Sequence, residues 1–180
     1  MAVGIEATIE DLYKVEGKAE LVGGEIVHMS PTGGMPGFAA LEIVVSLRLY
    51  AKQHGGCAYG DNVGFLVELP GRNSFCPDGA YYKGPRAGMK FLPQAPDFAV
   101  EVRSEGDYGS AEERKMAAKR ADYFAAGTKV VWDVDLLGED TVRVYRASAP
   151  DQPTIYRRGE TAEAEPAVPG WLFPVDDLFQ

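Results

Sequence analysis

Pro96-Asp-Phe-Ala-Val-Glu-Val-Arg-Ser104 alternates in a way that places Phe98, Val100 and Val102 on one face of a strand and Asp97, Ala99, Glu101 and Arg103 on the other. Beyond a short loop, Ser110-Ala-Glu-Glu113 has the spacing of a capping box and opens a helix that runs to Gly127, where glycine supplies the stop. Lys129-Val-Val-Trp-Asp-Val134 follows as a β-branched run around a tryptophan. Strand, helix and strand over residues 97 to 134 form a crossover unit. One α+β or α/β domain spanning residues 1–180 is the economical architecture.

Upstream of this unit, Thr8-Ile-Glu-Asp11 reads as a capping box on a short helix from Thr8 to about Val15. Two short strands, Ala19 to Val22 and Glu25 to Met29, meet at Gly23-Gly24, which supplies the positive φ of a tight hairpin turn. Ser30-Pro-Thr-Gly-Gly-Met-Pro-Gly37 is expected to break regular structure. The recurrent Leu41, Val44, Val45, Leu47, Leu49 and Tyr50 then read as a largely buried helix ending near His54-Gly55-Gly56. Val63 to Leu69 and Phe75 to Tyr82 read as strands around Pro70-Gly71, with Pro77 confined to a strand start, an edge or a bulge. Downstream, Thr141 to Tyr145 and Thr154 to Arg157 are further strands, and Gly159 to Pro169 is an acidic, proline-containing stretch with no evident element.

With 46% hydrophobic and 25% charged residues among 180, the chain has the usage of a folded soluble domain. At that size it buries about 70% of its unfolded surface, so neither a metal nor a disulfide is needed as a staple. No unbroken apolar run approaches the roughly 18 residues of a membrane span, so no membrane association is expected. Met1-Ala-Val-Gly-Ile-Glu-Ala-Thr8 lacks the basic and apolar regions of a leader, and a cytoplasmic location is expected.

The net charge of −9 argues against binding nucleic acid through a globally basic surface. The charge is uneven, since residues 81 to 120 carry eight basic and six acidic side chains while no basic residue follows Arg158. A mixed helix surface explains that segment equally well. Cys57 and Cys76 form no zinc-type pair and read as small buried hydrophobes. His28 and His54 lack a partner at ligand spacing, which leaves chemistry to carboxylates and lysine.

Two carboxylates stand where a plain sheet would prefer something else: Asp78 in an aromatic strand, and Glu101 in the apolar run Phe98-Ala-Val-Glu-Val102. A buried carboxylate neutralises itself or finds a cation. A structural ion pair between Glu101 and a basic neighbour such as Arg103 is one answer. The other is that Asp78 and Glu101 converge on a divalent cation, as Mg²⁺ sites use one or two carboxylates with several waters. The following helix offers Lys115, Lys119 and Arg120 to complete such a site. Arginine suits proton transfer poorly because it stays protonated, and spacing does not choose between the two lysines, both of which also fit a solvated surface.

Ala19-Glu-Leu-Val-Gly-Gly-Glu-Ile-Val27, Cys76-Pro-Asp-Gly-Ala80, Pro96-Asp-Phe-Ala-Val-Glu-Val-Arg-Ser104, Lys119-Arg-Ala-Asp-Tyr-Phe-Ala-Ala-Gly127, Val130-Val-Trp-Asp-Val-Asp135, Val168-Pro-Gly-Trp171 and Val175-Asp-Asp-Leu-Phe179 occur in order along nearly the whole chain. In this series the sequence resembles the bacterial putative restriction-endonuclease family, formerly a domain of unknown function, within the PD-(D/E)XK nuclease superfamily. The resemblance implies a single-domain, restriction-endonuclease-like fold: a mixed central β-sheet flanked by helices, with an N-terminal helix and β-hairpin. It implies Asp78 and Glu101 as metal carboxylates, Lys119 as the lysine displaced from the strand onto the following helix, and Glu20 as an assisting acid. Two departures are visible: Arg103 stands where the superfamily motif has lysine, and Gly37-Phe-Ala-Ala40 lacks the histidine that many members carry there.

The function expected on these grounds is a Mg²⁺-dependent endonuclease, with Mn²⁺ as a substitute, hydrolysing DNA phosphodiester bonds. The alternative is a nuclease fold that no longer cuts and serves as a binding or assembly module, for example as a homodimer. A hydrolase of another phosphate ester is the third option.

Overall fold

The structure, a computed structural model, describes residues 6–179. The first five residues, on which the leader reading partly rests, and Gln180 lie outside the described residues. In chain order the elements are α1 (Ile9–Leu12), β1 (Ala19–Val22), β2 (Glu25–His28), α2 (Gly34–His54), β3 (Cys57–Tyr59), β4 (Phe65–Leu69), β5 (Arg72–Phe75), β6 (Gly79–Tyr82), β7 (Phe98–Val102), α3 (Ser110–Ala125), β8 (Val130–Asp135), β9 (Thr141–Arg146), β10 (Ala149–Arg157), β11 (Thr161–Ala164) and β12 (Val168–Pro174), followed by a 3-10 turn at Val175–Leu178.

The crossover unit forms as expected: β7 and β8 pair in parallel, Phe98 opposite Val130 through Val102 opposite Val134, with α3 between them in sequence. They lie at the middle of a mixed six-stranded sheet of order β10-β9-β8-β7-β6-β3, whose other pairings are antiparallel. The N-terminal hairpin joins a second, four-stranded sheet, β2-β1-β5-β4, and β11 pairs with β12. Both faces of the central sheet are covered. On one, Phe98, Val100, Trp132 and Val144 pack against Ile43 and Leu47 of α2 and against Trp171 and Phe173 of β12. On the other, Ala99, Val131 and Tyr82 pack with Phe65, Phe75 and Tyr123 of α3.

Several boundaries differ from the sequence reading. α1 has its Thr8–Asp11 capping box but stops at Leu12. α2 begins at Gly34, inside the expected break, because Pro36 falls in the first turn, where a missing N–H costs no helical hydrogen bond. The expected strand Phe75 to Tyr82 is two strands in different sheets, interrupted at Cys76-Pro77-Asp78. α3 has Gly109 rather than Ser110 at its N-cap and no side-chain cap there, since Glu113 is drawn instead to Arg103. The acidic stretch after Gly159 contains β11 and leads into β12.

α2 is also the one helix among the described residues that is long and apolar enough to cross a membrane by length and composition. Glu42, Ser46 and Arg48 interrupt its apolar residues, so it contains no long unbroken apolar run. One face of α2, carrying Ala39, Ala40, Ile43, Leu47 and Ala51, is buried in the core. Gly79 lets the helix approach, because a Cβ there would stand 3.1 Å from Val44 Cγ2.

Candidate active site

Asp78 owes its position to the break between β5 and β6. Its backbone N–H donates to the Val100 carbonyl (3.1 Å), and its carboxylate Oδ2 accepts from the Val102 N–H (2.8 Å), so the side chain is fixed over the end of β7. Glu101 projects from β7 on the face opposite Phe98 and Val100, towards α3. There its Oε1 accepts from the Tyr123 hydroxyl (2.6 Å) and contacts Lys119 Nζ (2.9 Å). Lys119 and Tyr123 are one helical turn apart and share a face of α3. Glu20, on β1, is brought in by the pairing of Val22 with Arg72 of β5 and by a Leu21 N–H to Ser74 Oγ bond (2.8 Å). Its Oε1 lies 3.0 Å from Lys119 Nζ and accepts from the Cys76 N–H (2.8 Å), and its Oε2 pairs with Arg72 (2.6 Å).

The structure therefore brings Glu20, Glu101 and Lys119 into contact, with Asp78 close by at the end of β7. Lys115 is elsewhere, exposed and paired with Glu112 (2.7 Å). Arg103 is not the partner of Glu101, because its guanidinium is bound to Asp133 through two 2.7 Å hydrogen bonds and to Glu113. Sequence reasoning missed Lys18, whose ammonium bridges Asp78 Oδ1 (2.7 Å) and Asp61 Oδ1 (2.6 Å), and Arg72, which joins Glu20 to Asp122 (2.8 Å). Lys18 stands two residues before Glu20 but at a bend ahead of β1, so its side cannot be read from strand alternation. For Asp61 and Arg72 no local pattern points to the site, since only the sheet pairing carries them there.

Electrostatics separates the two glutamates that share Lys119. Burial pushes the Glu20 carboxyl up, but the charges of Lys119 and Arg72 and the hydrogen bonds outweigh it and hold its pKa below the ordinary value. At Glu101 burial prevails: the Lys119 charge opposes it, the neighbouring Asp78 and Glu20 charges reinforce it, and the pKa is raised. Burial alone would lower the Lys119 pKa, yet Glu101 and Glu20 raise it above that of a free lysine. Its contact with both carboxylates favours Lys119 as an ammonium and a hydrogen-bond donor.

Lys18, Arg72 and Lys119 meet five carboxylates here: Glu20, Asp61, Asp78, Glu101 and Asp122. The carboxylates outnumber the cations by two. Among the described residues no three His, Cys, Asp or Glu side chains form a metal cage. The available set is all-oxygen, Asp78 with Glu101, and such a pair suits a hard cation that keeps several waters. Beside Asp78 lies an open cavity of about 330 Å³ whose walls include Asp61, Thr32, Ala40 and Val44, giving a ligand a route to this carboxylate.

The sequence matches the family described as Uma2, putative restriction endonuclease, over residues 7–176. The chain belongs to that family. A similar solved structure is that of a putative nuclease belonging to DUF820 from Anabaena variabilis ATCC 29413. It superposes with a TM-score of 0.74 at 20% sequence identity, over 96% of this chain and 97% of the other. This likeness establishes the shared single-domain α+β fold with its mixed central sheet. No curated protein matches the chain.

Proposed function

We propose that this member of the Uma2 family is a divalent-cation-dependent endonuclease that hydrolyses DNA phosphodiester bonds, in the manner of PD-(D/E)XK enzymes. The observation carrying the reading is the contact of one ammonium, Lys119, with both Glu101 and Glu20 (2.9 and 3.0 Å), alongside the Asp78 carboxylate held over the end of β7. Asp78 and Glu101 are the side chains that would hold Mg²⁺ or Mn²⁺. Bound there, such an ion supplies Lewis acidity towards a phosphoryl oxygen and a more nucleophilic water.

The remaining work falls to the chain's own groups. Lys119, as an ammonium, orients the attacking water and offsets negative charge as it develops on the phosphate. Glu20 holds Lys119 in line and is itself favoured as a carboxylate by the charges of Lys119 and Arg72. Tyr123 fixes the rotamer of Glu101 through its 2.6 Å hydrogen bond. An acidic chain must concentrate whatever basic surface it has on the substrate, so DNA binding should weaken steeply with salt.

The test is supercoiled plasmid incubated with purified protein in Mg²⁺, in Mn²⁺ and in chelator, beside Glu101→Ala and Lys119→Ala. Nicking that requires the ion and falls by about 100-fold or more in both variants is expected. Undiminished nicking in Glu101→Ala would reject the assignment of this site. A second reading, a nuclease fold that binds without cutting, is favoured by one observation: Asp78 and Glu101 each already hold an internal ammonium. No nicking together with no stabilisation by Mn²⁺ would favour it, since a ligand of the native state must raise apparent stability.

A further inference from the structure

Lys18 has no task in the reaction outlined above, yet it occupies the carboxylate on which that reaction depends. Its ammonium is largely buried and lies between Asp78 Oδ1 at 2.7 Å and Asp61 Oδ1 at 2.6 Å. The opposite oxygen of Asp78 is committed to the Val102 N–H at 2.8 Å. A cation drawn to Asp78 Oδ1 therefore meets the atom Lys18 holds, while Oδ2 offers only the lone pair that the Val102 N–H leaves free. Mg²⁺ sits about 2.0–2.1 Å from a ligand oxygen, so an ion and the ammonium on the same oxygen would stand within a few ångströms of each other and repel strongly. Asp61 offers the way out, because it projects from the segment between β3 and β4, is far more exposed than Asp78, and contacts the same ammonium.

We propose that Lys18 is a resident counter-cation that competes with the divalent ion for Asp78, and that Asp61 is the seat to which it withdraws when the ion binds. The inference rests on the reading of Asp78 as a metal carboxylate. Lys18 and Asp61 are positioning residues: together they set how tightly Asp78 takes its ion, and they keep the carboxylate neutralised until it does. The lysine also keeps the like charges of Asp61 and Asp78 together in the metal-free protein.

The opposite signs expected for the two residues make the idea testable without substrate. Free Mn²⁺ is measured by electron paramagnetic resonance during titration of the full chain, with circular dichroism as the check on folding. Lys18→Met and Lys18→Gln should bind Mn²⁺ about tenfold more tightly than the parent, or better. Asp61→Asn should bind it more weakly, because Lys18 is then left with Asp78 alone. That weakening should largely vanish in the Lys18→Met background, where a simple loss of negative charge would add independently.

Folded Lys18 variants that bind Mn²⁺ no better than the parent overturn the proposal, as does an Asp61→Asn variant of undiminished affinity. If the parent binds Mn²⁺ and Asp78→Asn abolishes binding while the Lys18 variants are unchanged, the metal reading stands and only the competition falls. Absence of Mn²⁺ binding from every variant rejects both.

Discussion

Helix α3 feeds two ionic clusters with adjacent residues: Lys119 turns to Glu101 and Glu20, while Arg120 approaches Asp133 (3.6 Å) and lies over the Tyr145 ring (3.8 Å). Strand β7 and the residue just beyond it are divided in the same way, with Glu101 in the first cluster and Arg103 in the second. The Arg103 cluster is nearer to balance, with Arg103, Arg120 and Arg143 meeting Glu113, Asp133, Asp135 and Glu139. A planar guanidinium meets both oxygens of the buried Asp133 and then Glu113, the paired geometry in which charge-assisted hydrogen bonds are strongest. The Glu101 cluster is unmatched, with five carboxylates around three cations and a glutamate whose pKa is raised. Similar side chains thus form a deeply buried support in one place and, nearer to solvent, a site with more charge left to satisfy in the other.

Arg103→Met should break this contrast most severely. It leaves Asp133 buried without its bidentate partner and is expected to cost about 3–5 kcal/mol in urea unfolding. A loss below about 1 kcal/mol would mean that Arg120 and Arg143 carry Asp133 without it. Next in size is Glu20→Gln, which strips the buried Arg72 of a charged acceptor and should cost about 2–3 kcal/mol. Unchanged stability there would place Glu20 with the dispensable carboxylates.

Glu101→Gln is expected to differ in kind, and pH exposes the difference. Because the folded protein binds the Glu101 proton more tightly than the unfolded chain, Glu101 adds stability below its ordinary pKa of 4.5 and loses that contribution as pH rises through its folded value. Glu20, with a lowered pKa, contributes above 4.5 and loses its contribution as pH falls through its folded value. Urea midpoints measured from pH 4 to 8 should therefore show Glu101→Gln gaining on the parent as pH rises, while Glu20→Gln falls behind. Parallel curves would remove the asymmetry between the two glutamates. The smallest effect belongs to Lys115→Ala, which should alter stability by less than about 0.5 kcal/mol and leave plasmid nicking at the parent rate. A large loss of nicking would move the functional lysine one turn back along α3.

Glu101 was legible because a carboxylate inside an apolar strand has to be compensated. Asp78 was legible as a break in an aromatic strand, although the break proved to be a crossing between two sheets. Lys119 could not be told from Lys115 by spacing, as both suit an exposed helix flank, and the resemblance to a known family was what favoured it. Packing separates them, because Tyr123 is buried against Phe75 (ring centroids 3.9 Å) and turns the Lys119 side of α3 inward. The Ser110 capping box failed because Glu113 has a stronger partner in Arg103, which no local spacing anticipates.

By itself the sequence determined the crossover unit, the two-faced burial of β7 and the carboxylates at odds with their strands, since each depends on near neighbours and on the period of side chains along an element. Only the tertiary structure decided which cation meets which carboxylate. Lys18, Asp61 and Arg72 reach the site through pairings between segments as much as 60 residues apart, and the free energy of an ion pair depends on the distance and burial that such pairings create.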